Sequence, residues 1–151
     1  MSLFQSLAIF WMTLLFTQTP DTLWTKRYGG PFGDLGVYVQ ETSDLGYIIA
    51  AHTQSDSGAP MQHYLIKTDS LGEIIWTKTF CRSDPFSGCI QETADSGYIL
   101  TGGTVDTTGH MVIYLLKLNA QGDSLWAETI DGGGSGKSVQ QTTDLGYIIT
   151  G

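Results

Sequence analysis

Eight residues, Asp131-Gly132-Gly133-Gly134-Ser135-Gly136-Lys137-Ser138, imitate a phosphate-binding loop. They match G-x-x-x-x-G-K-[ST] except at the first position, where Asp131 replaces glycine. That chemistry needs a helix directly after the loop, whose free N-terminal amides and dipole hold the phosphates. Here Val139-Gln140-Gln141-Thr142 follows, which reads as a strand. Aligned on Gln140, the segment corresponds to the loop Gly29–Gly36 earlier in the chain, so it reads as a connection between repeats and no nucleotide site is expected.

The carboxylates are the next candidates. Glycoside hydrolysis needs two carboxyl groups at a defined separation across the scissile bond. Glu41 and Glu92 recur at equivalent positions, but the third copy carries Gln141; Asp44, Asp95 and Asp144 fall in turns. A catalytic pair should break a repeat rather than follow it. No D-x-[DN]-x-[DN]-G run suggests a calcium loop, and no G-x-S-x-G elbow suggests a serine nucleophile. His52, His63 and His110 occupy non-equivalent repeat positions without clustered ligands, and read as solvated or half-buried imidazoles rather than metal ligands. The expectation is therefore no catalytic residue, no metal and no cofactor. Cys81 and Cys89 flank Asp84-Pro85-Phe86; in an exported chain they could close a small disulfide across that loop, or stand as two unpaired small residues.

The elements that would position these groups are set by a repeat. Val39-Gln40-Glu41-Thr42-Ser43-Asp44-Leu45-Gly46-Tyr47 returns as Ile90-Gln91-Glu92-Thr93-Ala94-Asp95-Ser96-Gly97-Tyr98 and as Val139-Gln140-Gln141-Thr142-Thr143-Asp144-Leu145-Gly146-Tyr147. Trp24, Trp76 and Trp126 keep the same period as Tyr47, Tyr98 and Tyr147, close to 50 residues. A strand-rich period of that length predicts propeller blades, each burying its apolar face on a neighbour. The units run approximately over 24–75, 76–125 and 126–151.

Each full unit predicts four short antiparallel strands, in the first about Val37–Glu41, Gly46–Ala51, His63–Thr68 and Glu73–Phe80, with a further strand over Leu23–Tyr28. Asp44 opens the first turn, and Gly46 is expected to supply its positive φ; Asp69-Ser70-Leu71-Gly72 and Asn119-Ala120-Gln121-Gly122 make the second turn. Triplets such as Tyr47-Ile48-Ile49 and Tyr114-Leu115-Leu116 are apolar on both faces, as suits strands sandwiched between sheets. The recurring tryptophans are expected to sit between adjacent blades, and Lys67 and Lys117 to snorkel at strand ends. The count comes to about two and a half blades, so the expectation is an incomplete propeller: a fragment of a longer protein, or a chain that associates to cover its blade edges.

A net charge of −8 with only 7 basic residues argues against nucleic acid and anionic membrane surfaces as partners. Leu3–Phe16 is apolar and uncharged, which reads as a secretory signal peptide over 1–19, leaving the repeat domain over 20–151.

The run Leu-Trp-Thr-Lys from Leu23, Tyr28-Gly29-Gly30, and Val39 to Ala50 together resemble tandem β-propeller repeats of exported bacterial proteins. Such repeats look quinoprotein-like, often precede a type IX secretion sorting domain, and in some relatives carry endoglucanase labels. The resemblance covers about Asp21 to Gly151. The usual Asp-Gly-Gly-Tyr turn is here Asp44-Leu45-Gly46-Tyr47, and the second unit replaces the Tyr-Gly-Gly loop by Phe80-Cys81-Arg82. The motifs are specific for the repeat and nearly silent about function; with no catalytic constellation in the chain, the expectation is a secreted or cell-surface, non-enzymatic scaffold that binds or displays a glycan or protein ligand. The alternative is a propeller module of a polysaccharide-degrading or quinone-dependent enzyme.

Overall fold

The computed structural model describes residues 22–54, 56–59, 61–80 and 86–151. The expected signal peptide and Cys81 lie outside the described residues. Ten strands form: β1 Asp34–Glu41, β2 Tyr47–Thr53, β3 Gln62–Thr68, β4 Ile74–Phe80, β5 Phe86–Glu92, β6 Tyr98–Val105, β7 Met111–Leu118, β8 Ser124–Ile130, β9 Ser138–Gln141 and β10 Tyr147–Thr150. They make two four-stranded antiparallel meanders, β1-β2-β3-β4 and β5-β6-β7-β8, and a two-stranded β9-β10 ladder. No helix is present among the described residues, and the fold is all-β.

The two meanders are superposable in register as well as in sequence. Val39 pairs with Ile49 and Ile48 with Lys67 in the first; Ile90 pairs with Leu100 and Ile99 with Lys117 in the second. Each first strand carries an irregularity at the same place, between Gly36 and Tyr38 and between Ser87 and Cys89. There the glycine is required by a neighbour: a Cβ on Gly88 would fall 2.1 Å from the Gly136 carbonyl oxygen of the loop before β9. The first strands of the three sheets lie in series, β1 against β5 and β5 against β9.

Alternation along the middle strands sends side chains to two different neighbours, which is why those strands are apolar throughout. Tyr98, Leu100, Tyr114 and Leu116 point to the first sheet, joining Ile48, Ala50 and Leu65. Ile99 and Leu115 point the other way, onto Val139, Tyr147 and Ile149. All but the last residue of β6 is buried, whereas every residue of β8 is exposed. Burying an Ile or Leu side chain fully contributes about 1.5–3 kcal/mol, so this stack of sheet on sheet is the main source of stability.

Two expectations about local structure are corrected. Thr22–Gly30 forms no strand, because no described segment supplies it with a ladder partner. The first turn takes its positive φ one residue before the glycine, at Leu45 (65°), Ser96 (61°) and Leu145 (67°). Gly46 and Gly97 are needed for room: a Cβ there would lie 2.1 and 2.3 Å from the carbonyl oxygens of Thr68 and Leu118. The second turn behaves as expected, with Gly72 and Gly122 at φ 75° and 77°.

Candidate functional site

The most elaborate chemistry lies in and between the units. In the first turn of each full unit, an aspartate gathers donors. The Thr42 hydroxyl donates to Asp44 Oδ1 at 2.6 Å and the Gly46 amide at 3.1 Å, and Lys67 Nζ reaches both carboxylate oxygens at 2.9 Å. Asp95 repeats this with the Thr93 hydroxyl, the Gly97 amide and Lys117 Nζ at 3.0 and 2.9 Å. The lysines do not snorkel. Lys67 and Lys117 are each only 4% exposed, and their ammonium groups also donate to the carbonyls of Thr68 and Leu118. An outward-reaching lysine would keep its head in water; here the missing Cβ of the turn glycine opens a channel to the aspartate. The threonine hydroxyl, then the lysine, hold both Asp44 and Asp95 down at about 2. These carboxylates are ionised at neutral pH, with a pKa far from that of a general acid or base working there.

A second set of contacts joins each sheet to the sheet or segment before it. Trp24 ahead of β1, Trp76 on β4 and Trp126 on β8 meet Tyr47, Tyr98 and Tyr147 of the sheet that follows edge-on, with ring centroids 5.8, 5.8 and 6.0 Å apart. Trp24 and Trp76 also lie over Gly72 and Gly122, where a Cβ would come within 2.9 Å of the ring. Lys26 pairs with Glu73 and Lys78 with Asp123 across the same junctions. Gln40 Oε1 accepts from the Glu92 amide at 2.9 Å, and Gln91 Oε1 from the Gln141 amide at 2.7 Å.

In the reverse direction, Glu92 accepts from the amide and hydroxyl of Ser43, and Gln141 Oε1 accepts from the Ala94 amide. That exchange explains why the repeat tolerates Glu or Gln: either offers the acceptor oxygen the junction uses. Sequence reasoning treated Glu41 and Glu92 as failed catalytic candidates. The signal for the bridging role of Glu92 was present in its exchange with Gln141, but the donor could not be read without the fold.

The phosphate-loop imitation is a connection between β8 and β9. Its Gly136 amide donates to the Gly102 carbonyl and its Lys137 amide to the Thr150 carbonyl, and Ser138 opens a strand rather than a helix. Two of the amides a phosphate would require are thus engaged, and the helix N-terminus such a site needs is replaced by a strand.

Two of the three histidines are placed differently from expectation. His52 and His63 stand opposite one another on β2 and β3, are 7% and 0% exposed, and have ring centroids 5.8 Å apart. The two were separated by eleven positions in sequence, and only the hairpin register brings them together. Burial pushes the His52 imidazole below its ordinary range. His110 is exposed in the β6–β7 turn, where its amide and that of Thr108 donate to Asp106 Oδ1. No group of three or more His, Cys, Asp or Glu side chains could hold a metal among the described residues. Cys89 is buried, with Sγ 3.9 Å from the Val139 carbonyl; the bridge to Cys81 falls on a residue outside those described.

Among the described residues, two of the recesses lie beside polar turns. One, of about 330 Å³, lies at the junction of the first two units beside Ser43, Asp44, Trp76, Glu92 and Gln121. The other, of about 510 Å³, lies between the β6–β7 turn and the glycine loop, beside Asp106, His110, Met111 and Asp131. Both are lined by hydrogen-bonding groups carried on turns. In comparisons with known proteins, no family model and no curated protein matches the chain.

Proposed function

We propose that the chain is a β-propeller repeat scaffold, exported to the cell surface or beyond, that binds a glycan or protein ligand through its turns and performs no catalysis. The observation that carries the reading is the recurrence, at successive junctions, of one set of interlocking contacts: Trp on Tyr and Gln on backbone amide. Such a junction generates a rigid array whose loops are free to vary, which is how repeat proteins carry binding surfaces. The first strands in series, each beginning a meander that runs outward, fit the radial arrangement of propeller blades.

Further support comes from the carboxylates. Asp44 and Glu92, the acids lining the junction recess, are each committed to a lysine or a backbone amide, as is Asp95 in the next turn. Export rests on the apolar N-terminal stretch, and the acidic surface favours neutral or basic partners over polyanions.

The test is binding of the full chain to an array of neutral polysaccharides and surface proteins, run beside a reducing-sugar assay on each glycan that binds. Binding without sugar release is the expected outcome. Release abolished by substitution of a single carboxylate would overturn the scaffold reading in favour of a polysaccharide-degrading module.

A further inference from the structure

We infer that the recess between the first and second sheets is a subsite for one pyranose ring of a neutral polysaccharide, resting on Trp76 with its hydroxyls on Glu92, Ser96 and Gln121. The inference rests on the scaffold reading above and gives it a place and a ligand class.

The repeat breaks at this recess. The residue before the first-turn glycine is Leu45 in the first unit and Leu145 in the third, but Ser96 in the second. The residue before the second-turn glycine is Leu71 in the first unit, but Gln121 in the second. Both departures line the recess, one from each tight turn of the second sheet. Backbone conformation does not call for the serine, because Leu45 and Leu145 adopt the same φ (65° and 67°) as Ser96 (61°). A leucine at 96 would carry a longer, branched side chain into the space. A leucine at 121 would remove a donor and an acceptor from its wall. Side chains that depart from a repeated frame, on turns held by that frame, are where a repeat protein carries recognition.

The lining specifies the ligand. Trp76 is half-buried and offers an indole on which the polarised C–H groups of a sugar ring can rest. Beside it, each Glu92 oxygen takes one bond from Ser43, which leaves further lone pairs for hydroxyl donors. The Gln121 side-chain amide and the Ser96 hydroxyl both donate and accept. A mixture of donors and acceptors matches sugar hydroxyls, which are both at once. The volume of about 330 Å³ has room for one ring and its links to the next, at the low end of the roughly 300–1,000 Å³ of small-molecule sites.

Charge argues against the other small ligands. Asp44 is balanced in the same wall by Lys67 at 2.9 Å, so Glu92 is the lining carboxylate with no ammonium partner among the described residues. An anionic sugar or a phosphate would meet Glu92 and a chain of net charge −8. An ammonium group needs acceptors alone, whereas Ser96 and Gln121 also bring O–H and N–H donors. A neutral polyol satisfies both kinds.

The probes are cellotetraose, mannotetraose, galactotetraose and xylotetraose, each titrated onto the full chain and followed by NMR. A site holding one ring should bind at about 1 mM. At least one probe should shift the Trp76 indole N–H, the Gln121 side-chain amide and the Ser96 amide together, with an affinity that does not change with ionic strength. Ser96→Leu and Gln121→Leu restore the residues the chain itself carries at Leu45 and Leu71, so the urea midpoint should stay near wild type. Gln121→Leu should weaken binding about three- to tenfold, and Ser96→Leu, which also fills the space, by about tenfold or more. The absence of shifts with every probe, or shifts that survive Ser96→Leu, would overturn the subsite. Shifts produced instead by Nα-acetyl-lysine amide would also overturn it, assigning the recess to a basic side chain of a protein. Each of these failures leaves the scaffold reading standing, since the array can still return a protein or a glycan held elsewhere. Sugar release abolished by a single carboxylate substitution would overturn the scaffold reading alone.

Discussion

Replacing Asp95 with Asn should destabilise the fold more than replacing its partner Lys117 with Met. Lys117 is the buried member of the pair: its side chain is 5% exposed, against 59% for Asp95. Its ammonium donates to the Thr93 hydroxyl, both Asp95 oxygens and the Leu118 carbonyl, all within 3.0 Å. In D95N these neutral oxygens remain, but the balancing charge is gone and an amide NH2 turns toward the cation. Stranding a partner of a fully buried pair costs about 3–5 kcal/mol, and the exposure of Asp95 discounts this to about 2–3. In K117M the carboxylate left behind is reached by water and keeps the Thr93 hydroxyl and Gly97 amide. Met fills most of the lysine stem's volume, so the loss should be about 1 kcal/mol.

The double variant should resemble K117M, leaving a coupling of about 2–3 kcal/mol between the two sites. Urea unfolding followed by tryptophan fluorescence measures all four proteins, with the slope unchanged if only stability moves. The pH dependence supplies an internal check. Asp95 ionises at about 2 in the folded chain against 3.8 in the unfolded one, so its contribution is present above pH 4 and lost as pH falls toward 2. The D95N deficit should therefore shrink across that window. A D95N loss smaller than that of K117M, or strict additivity of the two changes, would refute the reasoning.

Gly97→Ala should cost about 2–3 kcal/mol in the same unfolding assay, because its Cβ would sit 2.3 Å from a backbone carbonyl that cannot move without breaking the β6–β7 ladder. Leu45→Gly, by contrast, should be neutral or stabilise by up to about 1 kcal/mol, since it removes the left-handed strain at φ 65° from an exposed side chain. Glu92→Gln should leave stability within about 0.5 kcal/mol of wild type, since Gln141 makes the equivalent bond, while Glu92→Ala should lose about 1 kcal/mol. Trp76→Ala should cost about 3–5 kcal/mol and the more exposed Trp126→Ala less than half of that. His52, held neutral by burial, contributes stability that is present above pH 6.5 and lost as pH falls through its lowered pKa. His52→Gln should flatten that part of the pH–stability curve.

The repeat, the strand content and the two-faced burial of the middle strands were all readable from the chain. Each follows from side-chain periodicity, and periodicity survives in one dimension. The nine-residue motif even located the turns correctly to within a residue. What the motif could not disclose was which atom each residue serves. Gly46 looks like a turn glycine, yet its conformation is ordinary; its role depends on a carbonyl of Thr68 that arrives from another strand. Lys67 looks like a surface lysine at a strand end, and is buried because that same glycine leaves a passage to Asp44. The pairing of His52 with His63 depends on the β2–β3 register, set by a connection whose length sequence pattern does not constrain.

The bridging of Glu92 to Ser43 is likewise a contact across 49 positions. Sequence by itself therefore determined what kind of element each segment forms and that the elements recur, because local sterics and alternating burial act between near neighbours. Only the tertiary structure decided which recurring polar residues lock a turn and which lock one sheet to the next. Those assignments depend on distances between segments some 20 to 50 residues apart, which no local preference encodes.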